Sequence, residues 1–255
     1  MEGNEKIQNS TEKSLIIKIF YEIFQLKHFP FFTISIIFSI YRGMVIISHK
    51  HKFIIFKTYK TASTSIEDFV SQRLKKTLKP DECILGQCQK LNITKHITPK
   101  KLFSILPEVK DYYKICAIRN PYNQIASSFI YENKYIPTEC QLREFILGCD
   151  CVPENVCNIR RTFQHLKTYY SYVLYDGKEC IDYFIKLETH KEDLARLLDK
   201  FEIPYGKRIE MGHKRKNMLN YKLEDVYNSE TIGLVQRIFE HELKLGNYTY
   251  PGINE

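Results

Sequence analysis

The sequence predicts an α/β fold, a mainly parallel central sheet flanked by helices, and three observations lead to it. Short apolar runs rich in β-branched residues recur at 45–48, 53–56, 113–118 and 180–187, each bounded by polar turns, as buried strands are. Segments with helical spacing lie between them, over about 64–76, 99–106 and 121–134. Helix-start signals stand where those segments begin. Thr98–Pro99 and Asn120–Pro121 each put a capping side chain before a first-turn proline, and Thr138 with Gln141, then Thr189 with Glu192, match the capping box. Strands that alternate with helices make a sheet covered on both faces.

Taken in order, residues 1–9 are polar and lack the apolar core and cleavage site of a secretory signal. Asn9 with Glu12 opens a helix whose Ile16, Ile19, Phe20, Ile23 and Phe24 share one face, with Lys13, Lys18 and Lys27 on the other. Packing on the chain's own domain is the first reading, and peripheral membrane contact through residues 10–41 is the alternative. Phe29–Tyr41 then runs 13 residues without a charge, short of the roughly 20 that span a bilayer. A buried or interfacial segment is expected, in a cytoplasmic protein; a luminal protein with a type II anchor is the minority reading. Residues 1–43 are read as an N-terminal extension and 44–255 as the folded domain.

Beyond that boundary, VIIS and FIIF flank the polar turn His49–Lys52. A loop, Thr58–Ser63, leads into the helix over 64–76. YKICAI at 113–118 is a strand, and the helix from Thr138 is closed by Gly148. A helix is expected over about 158–173, a turn at Asp176–Gly177, and a strand in CIDYFIKL. A helix follows through Phe201, and a last one runs from Ser229 to Gly246.

Composition limits the function classes. A chain of 255 residues with 44% hydrophobic and 27% charged residues, 10 Gly and 9 Pro, is neither disordered nor collagen-like. Its net charge of +8 favours an anionic partner, against the alternative of a basic surface with none. Four of the eight cysteines cluster as Cys140, Cys149, Cys151 and Cys157, a spacing unlike paired zinc motifs. Reduced thiols are expected, or a disulfide in a luminal protein, where the sequons at Asn92 and Asn247 would also matter.

Two segments carry chemistry. In FIIFKTYKTASTSIEDFV, residues 53–70, a buried strand enters a hydroxyl-rich loop holding Lys60, and the loop opens a helix. The first-turn amides and the positive end of the helix dipole then meet above the strand tip, where an anion is the natural occupant. A Walker A loop is excluded, since residues 57–66 contain no glycine. A capped turn with incidental hydroxyls is the plain alternative. In ICAIRNPYNQIASSF, residues 115–129, Arg119 ends a strand and Ser127 follows eight residues later on the next helix. A guanidinium fork suits phosphate; a surface Arg and an ordinary helical Ser are the alternative.

Together these segments resemble the sulfotransferases that use 3′-phosphoadenosine 5′-phosphosulfate (PAPS), in the branch of carbohydrate sulfotransferases and their bacterial relatives. The 5′-phosphosulfate loop of that family is similar to Lys60, Thr61, Ala62, Ser63, Thr64 and Ser65, and its 3′-phosphate pair to Arg119 and Ser127. Tyr59 stands where the family often has proline. The resemblance covers most of 44–251, including Tyr175–Lys178, FIKLETHKEDLARLL and LKLGNYTYP. It implies a P-loop-like three-layer fold, PAPS as co-substrate, no metal, and transfer of the sulfuryl group to an acceptor hydroxyl, with a glycan as first candidate. Lys60 would stabilise the departing phosphate. His96, in TKHITPKKLF, would be the base, with a helix-cap role as its alternative. The basic run HKRK places Lys214 and Arg215 as further cofactor contacts, a solvated face being the usual meaning of such a run. Glu188 is expected to be a structural ion-pair partner. Acceptor choice falls to the loops at roughly 77–95 and 135–160. An atypical nucleotide-dependent phosphotransferase and a non-enzymatic basic module for nucleic acid or membrane are the competing readings; no nucleic acid beyond the nucleotide donor is expected.

Overall fold

The computed structural model of the chain describes residues 45–79, 82–85, 93, 96–148, 169, 173–212 and 219–250. The N-terminal extension, Cys149, Cys151, Cys157, the sequon at Asn92 and the run holding Lys214 and Arg215 lie outside them. So does the helix expected over 158–173, apart from Tyr169 and Val173.

Strand β1 (Ile46–Ser48) turns through residues 49–52 into β2 (Phe53–Phe56), an antiparallel hairpin with Ile47 opposite Ile54. Strand β3 (Cys83–Leu85) pairs antiparallel with the other side of β1. Strand β4 (Tyr113–Ile118) lies parallel to β2, with Phe56 opposite Cys116. A small separate hairpin of β5 (Leu174–Tyr175) and β6 (Lys178–Glu179) turns at Asp176–Gly177. Strand β7 (Tyr183–Lys186) completes the sheet parallel to β4, in the order β3-β1-β2-β4-β7. The sheet is therefore mixed, with two parallel and two antiparallel pairings, where a mainly parallel one was expected. A four-residue turn permits only antiparallel pairing, and the three-residue β3 is too short to announce itself in sequence.

Among the described residues there are seven α-helices: α1 (Ser63–Thr77), α2 (Pro99–Ile105), α3 (Pro121–Asn133), α4 (Glu139–Leu147), α5 (His190–Lys200), α6 (Ser229–Ile238) and α7 (Glu240–Gly246). No helix of the described residues is long and apolar enough to cross a membrane. Strand alternation distributes them over the sheet. Ile47, Ile54, Phe56, Cys116 and Ile118 pack with Leu102 and Phe103 of α2 on one face. Ile46, Phe53, Ile55, Ile115 and Ile185 pack with α1 and α5 on the other. Because both faces are covered, the central strands read as continuous apolar runs. A further cluster joins Ile125 and Phe129 of α3 to Phe145 of α4 and Val235 of α6.

The caps at Thr98, Asn120 and Thr138 form as expected, the last as a full capping box. Two starts differ. Thr189 makes no capping bond to the backbone; its hydroxyl donates to the buried carboxylate of Asp193, which also accepts from the Lys186 amide, each at 2.9 Å. That carboxylate ties α5 to the end of β7, a tertiary role that Glu192 cannot fill from its place on the helix. The last helix is capped by Asn228 rather than opened by Ser229 alone, and it breaks at Phe239 into α6 and α7.

Asn120 does two jobs in this frame. Its Oδ1 accepts from the Tyr122 amide at 3.1 Å, and its Nδ2 donates to the Thr249 carbonyl at 2.9 Å, holding the C-terminal segment on α3. Asn120→Ala should cost about 1–3 kcal/mol in urea unfolding. Asn120→Asp, which keeps the cap but cannot donate, should fall between that variant and the parent.

Candidate active site

The site grows out of the strand order. Strands β2, β4 and β7 run parallel, so the segments leaving their carboxyl ends gather along one edge. That edge is the usual ligand side of an α/β sheet. Residues 57–62 leave β2, Arg119 leaves β4 and Glu188 follows β7.

The β2 loop is docked on β4 through Thr58, whose Oγ1 donates to the Ala117 carbonyl at 2.5 Å. A hydroxyl has one proton, so the 2.8 Å contact between Thr58 and Thr61 hydroxyls is donated by Thr61. Ser63 Oγ donates back to the Thr58 carbonyl at 2.8 Å, and Ser65 Oγ donates to the Gly212 carbonyl at 2.9 Å. Three of the four hydroxyls expected to face an anion thus hold the loop itself. The Thr64 side chain is half-buried and makes no hydrogen bond to a described residue. The Ser63 and Thr64 amides, in the first turn of α1, have no acceptor within the helix. Lys60 and Ala62 have φ of 56° and 54°, left-handed backbone in a loop with no glycine. Each such residue costs roughly 1–2 kcal/mol, which surrounding contacts must offset.

Those contacts come from β4 and α3. Arg119 Nη1 donates to the Lys60 carbonyl at 3.2 Å, and Gln124 Nε2 donates to the Tyr59 carbonyl at 2.9 Å. The Lys60 ammonium stands 4.0 Å from the centroid of the Tyr131 ring, a cation–π pair. Gln124 and Tyr131 are therefore the face of α3 turned to the loop. Ser127, three residues after one and four before the other, lies on that same strip and is buried. Burial pulls the Arg119 guanidinium below its ordinary value, with Tyr221 and Glu188 acting in the opposite sense. It remains a cation, since guanidinium is not deprotonated in proteins.

His96 reaches the same loop from the segment before α2. Its Nδ1 lies 2.8 Å from the Lys57 carbonyl, and its ring stacks on Tyr59 with centroids 3.9 Å apart and planes 15° from parallel. A carbonyl only accepts, so Nδ1 carries a proton and Nε2 holds the lone pair of the neutral ring. Such an imidazole is arranged as a base at Nε2.

The far wall is C-terminal. Glu188 accepts from the Asn120 amide at 2.9 Å and from Tyr248 Oη at 2.8 Å. Burial, and then the Glu188 carboxylate, push the Tyr248 phenol up, so it stays a donor. Glu188 is thus an anchor for two hydrogen bonds where an ion-pair partner was expected. Lys186 Nζ donates to the Gly246 carbonyl at 2.8 Å, fixing the start of this segment. A small cavity under the loop, with room for about one water, is lined by Thr58, Tyr59, Thr61, Arg119, Gln124 and Tyr248, with Glu242 and Tyr169 beside them. Tyr169 in turn pairs with His241.

The structure brings Lys60, the Thr61–Ser65 segment, Arg119, Ser127 and His96 around one strand edge; Lys214 and Arg215 are outside the described residues. Sequence reasoning missed Tyr59, Gln124, Tyr131 and Tyr248. Gln124 and Tyr131 had one available signal, their helical spacing from Ser127. Comparison with protein-family models, curated proteins and solved structures gave no match.

Lys57 supports the loop from below. Its ammonium is buried against Glu67 of α1 at 3.0 Å, with side chains 4% and 12% exposed. Removing one member of such a pair leaves a buried charge poorly compensated. Glu67→Leu should lose about 3–5 kcal/mol of unfolding free energy, and the double variant Lys57→Met with Glu67→Leu should recover most of it. Equal losses in the single and double variants would show that the pair is not the coupled unit described.

Proposed function

We propose that the chain is a PAPS-dependent sulfotransferase of P-loop-like architecture, acting on an acceptor hydroxyl, with a carbohydrate as the acceptor class. The observation that carries this reading is that two basic residues, Lys60 and Arg119, flank a helix start whose first amides have no acceptor within the helix. Lys60 and Arg119 leave adjacent parallel strands, and the Arg119 guanidinium donates to the Lys60 backbone carbonyl just before the first turn of α1. The family resemblance of these same positions turns a general anion site into a donor site.

The residues fit such a donor. The Ser63 and Thr64 amides, the Thr64 hydroxyl and the Lys60 ammonium would hold the 5′-phosphosulfate. Arg119 and Ser127 would hold the 3′-phosphate, with Lys214 and Arg215 as further contacts. Thr61, Ser63 and Ser65 contribute by fixing the backbone that presents those amides. The acceptor oxygen forms a bond to sulfur as the bond from sulfur to the 5′-phosphate oxygen breaks. The electron pair of that bond leaves on 3′,5′-ADP, and the hydroxyl proton passes to His96 Nε2. Lys60 stabilises the charge that develops on the departing phosphate, and positioning supplies most of the remainder.

The 3′,5′-ADP product, at 100 times its dissociation constant, should stabilise the protein by about 2.7 kcal/mol. For a chain of this length that is a Tm rise of roughly 5–10 °C, which Arg119→Ala should abolish and which ATP with magnesium should not reproduce. No rise at saturating 3′,5′-ADP would refute the donor assignment. A larger response to ATP with magnesium would favour a phosphotransferase instead. His96→Ala should lower turnover at least about a hundredfold with 3′,5′-ADP binding retained. Unchanged turnover would remove it from the mechanism.

A further inference from the structure

Of the side chains that meet the phosphosulfate loop, the Tyr59 ring has no part in the transfer described above. Its backbone is held by Gln124 at the carbonyl, and its side chain packs beside the core under α2. Its face lies on His96, 3.9 Å between centroids and 15° from parallel. The next residue, Lys60, is the cation assigned to the departing phosphate.

A histidine ring attached to the backbone turns about a broad, roughly two-fold χ2 torsion. The Nδ1 hydrogen bond to the Lys57 carbonyl exists only while the imidazole plane contains that oxygen's direction. A parallel ring at 3.9 Å blocks the turn, because rotating the imidazole drives its edge into the neighbouring face. The two constraints are complementary: the carbonyl selects which nitrogen is protonated, and the stacked ring keeps the plane in which that selection operates. In free neutral histidine the proton favours Nε2, so the observed arrangement opposes the intrinsic preference and has to be imposed.

We propose that Tyr59 is a positioning residue that, with the Lys57 carbonyl, holds His96 in the Nδ1–H tautomer and so makes Nε2 the basic nitrogen. The catalytic use of this arrangement rests on the reading of His96 as the base. Its physical content does not. Through the Tyr59–Lys60 peptide, the base that takes the acceptor's proton and the cation that meets the donor's leaving group are set by adjacent residues of one loop. A shift of the loop would displace both together.

The tautomer is read directly from ¹⁵N chemical shifts of histidine-labelled full-length protein above the imidazole titration range, with His96→Gln identifying the resonance. The parent should show His96 protonated at Nδ1. Tyr59→Phe, which keeps the ring face, should retain that signature, and Tyr59→Leu should move His96 to mixed or Nε2–H shifts. An Nε2–H signature in the parent, persistence of the Nδ1–H signature in Tyr59→Leu, or loss of the Nδ1–H signature in Tyr59→Phe would each overturn the proposal. If Tyr59→Leu does not fold, Tyr59→Met, which also removes the ring face but keeps more of the side-chain volume, takes its place with the same two outcomes. Failure of the sulfotransferase reading is seen separately, as absence of the thermal response to 3′,5′-ADP in the parent.

Discussion

The parallel pairing of β2 with β4 is the constraint on which the candidate site depends. With Phe56 opposite Cys116, the chain leaving β2 passes directly beside Ala117 and Ile118, and Thr58 can seal the loop by donating to the Ala117 carbonyl. The same register sets Arg119 one step beyond the end of β4, close enough to reach the Lys60 carbonyl. A slip of one residue would reverse every side chain between the two faces of the sheet, so the apolar alternation of Ile54, Phe56, Cys116 and Ile118 against Phe53, Ile55, Ile115 and Ala117 fixes the site as firmly as it fixes the core.

A loop without glycine is then forced through two left-handed residues, Lys60 and Ala62. Their cost is met by neighbours rather than by sequence preference. Gln124 holds one peptide oxygen, Arg119 the next, and Thr58 gathers the Thr61 and Ser63 hydroxyls. The consequence is a division of labour among hydroxyl residues that look alike in sequence. Thr61, Ser63 and Ser65 are structural members of the loop, while the helix-start amides and the Thr64 hydroxyl are the groups that the proposed function assigns to the donor. Pre-orientation of this kind is what an electrostatic site requires, since dipoles already in place need no reorganisation when charge develops.

Much of this was legible in the chain. The strands at 53–56 and 113–118, the caps at Thr98, Asn120 and Thr138, and the loop from Lys60 to Ser65 rest on local signals: short apolar runs, a capping side chain before a proline, hydroxyls at a helix start. The antiparallel half of the sheet was half legible, since the turn at 49–52 was read but the three residues of β3 gave nothing to read. Asp193 replaced Glu192 because its value lies in reaching the Lys186 amide across space, not in helix position. Tyr59 on His96, Gln124 on Tyr59 and Tyr248 on Glu188 pair residues 37 to 65 positions apart, and no periodicity encodes such meetings.

The two lysines of F-K-T-Y-K show how the fold separates similar residues into different roles. Lys57 directly follows the buried strand, so its stem is enclosed and its charge must be matched; Glu67, one turn into α1, does so at 3.0 Å. Lys60, three residues on, has left the sheet through a left-handed turn, and its ammonium rests on the π face of Tyr131. An aromatic face stabilises a cation by about 0.5–2 kcal/mol without neutralising it. The left-handed turn at Lys60 thus separates the two lysines, sending one ammonium to the Glu67 carboxylate and the other to the Tyr131 ring.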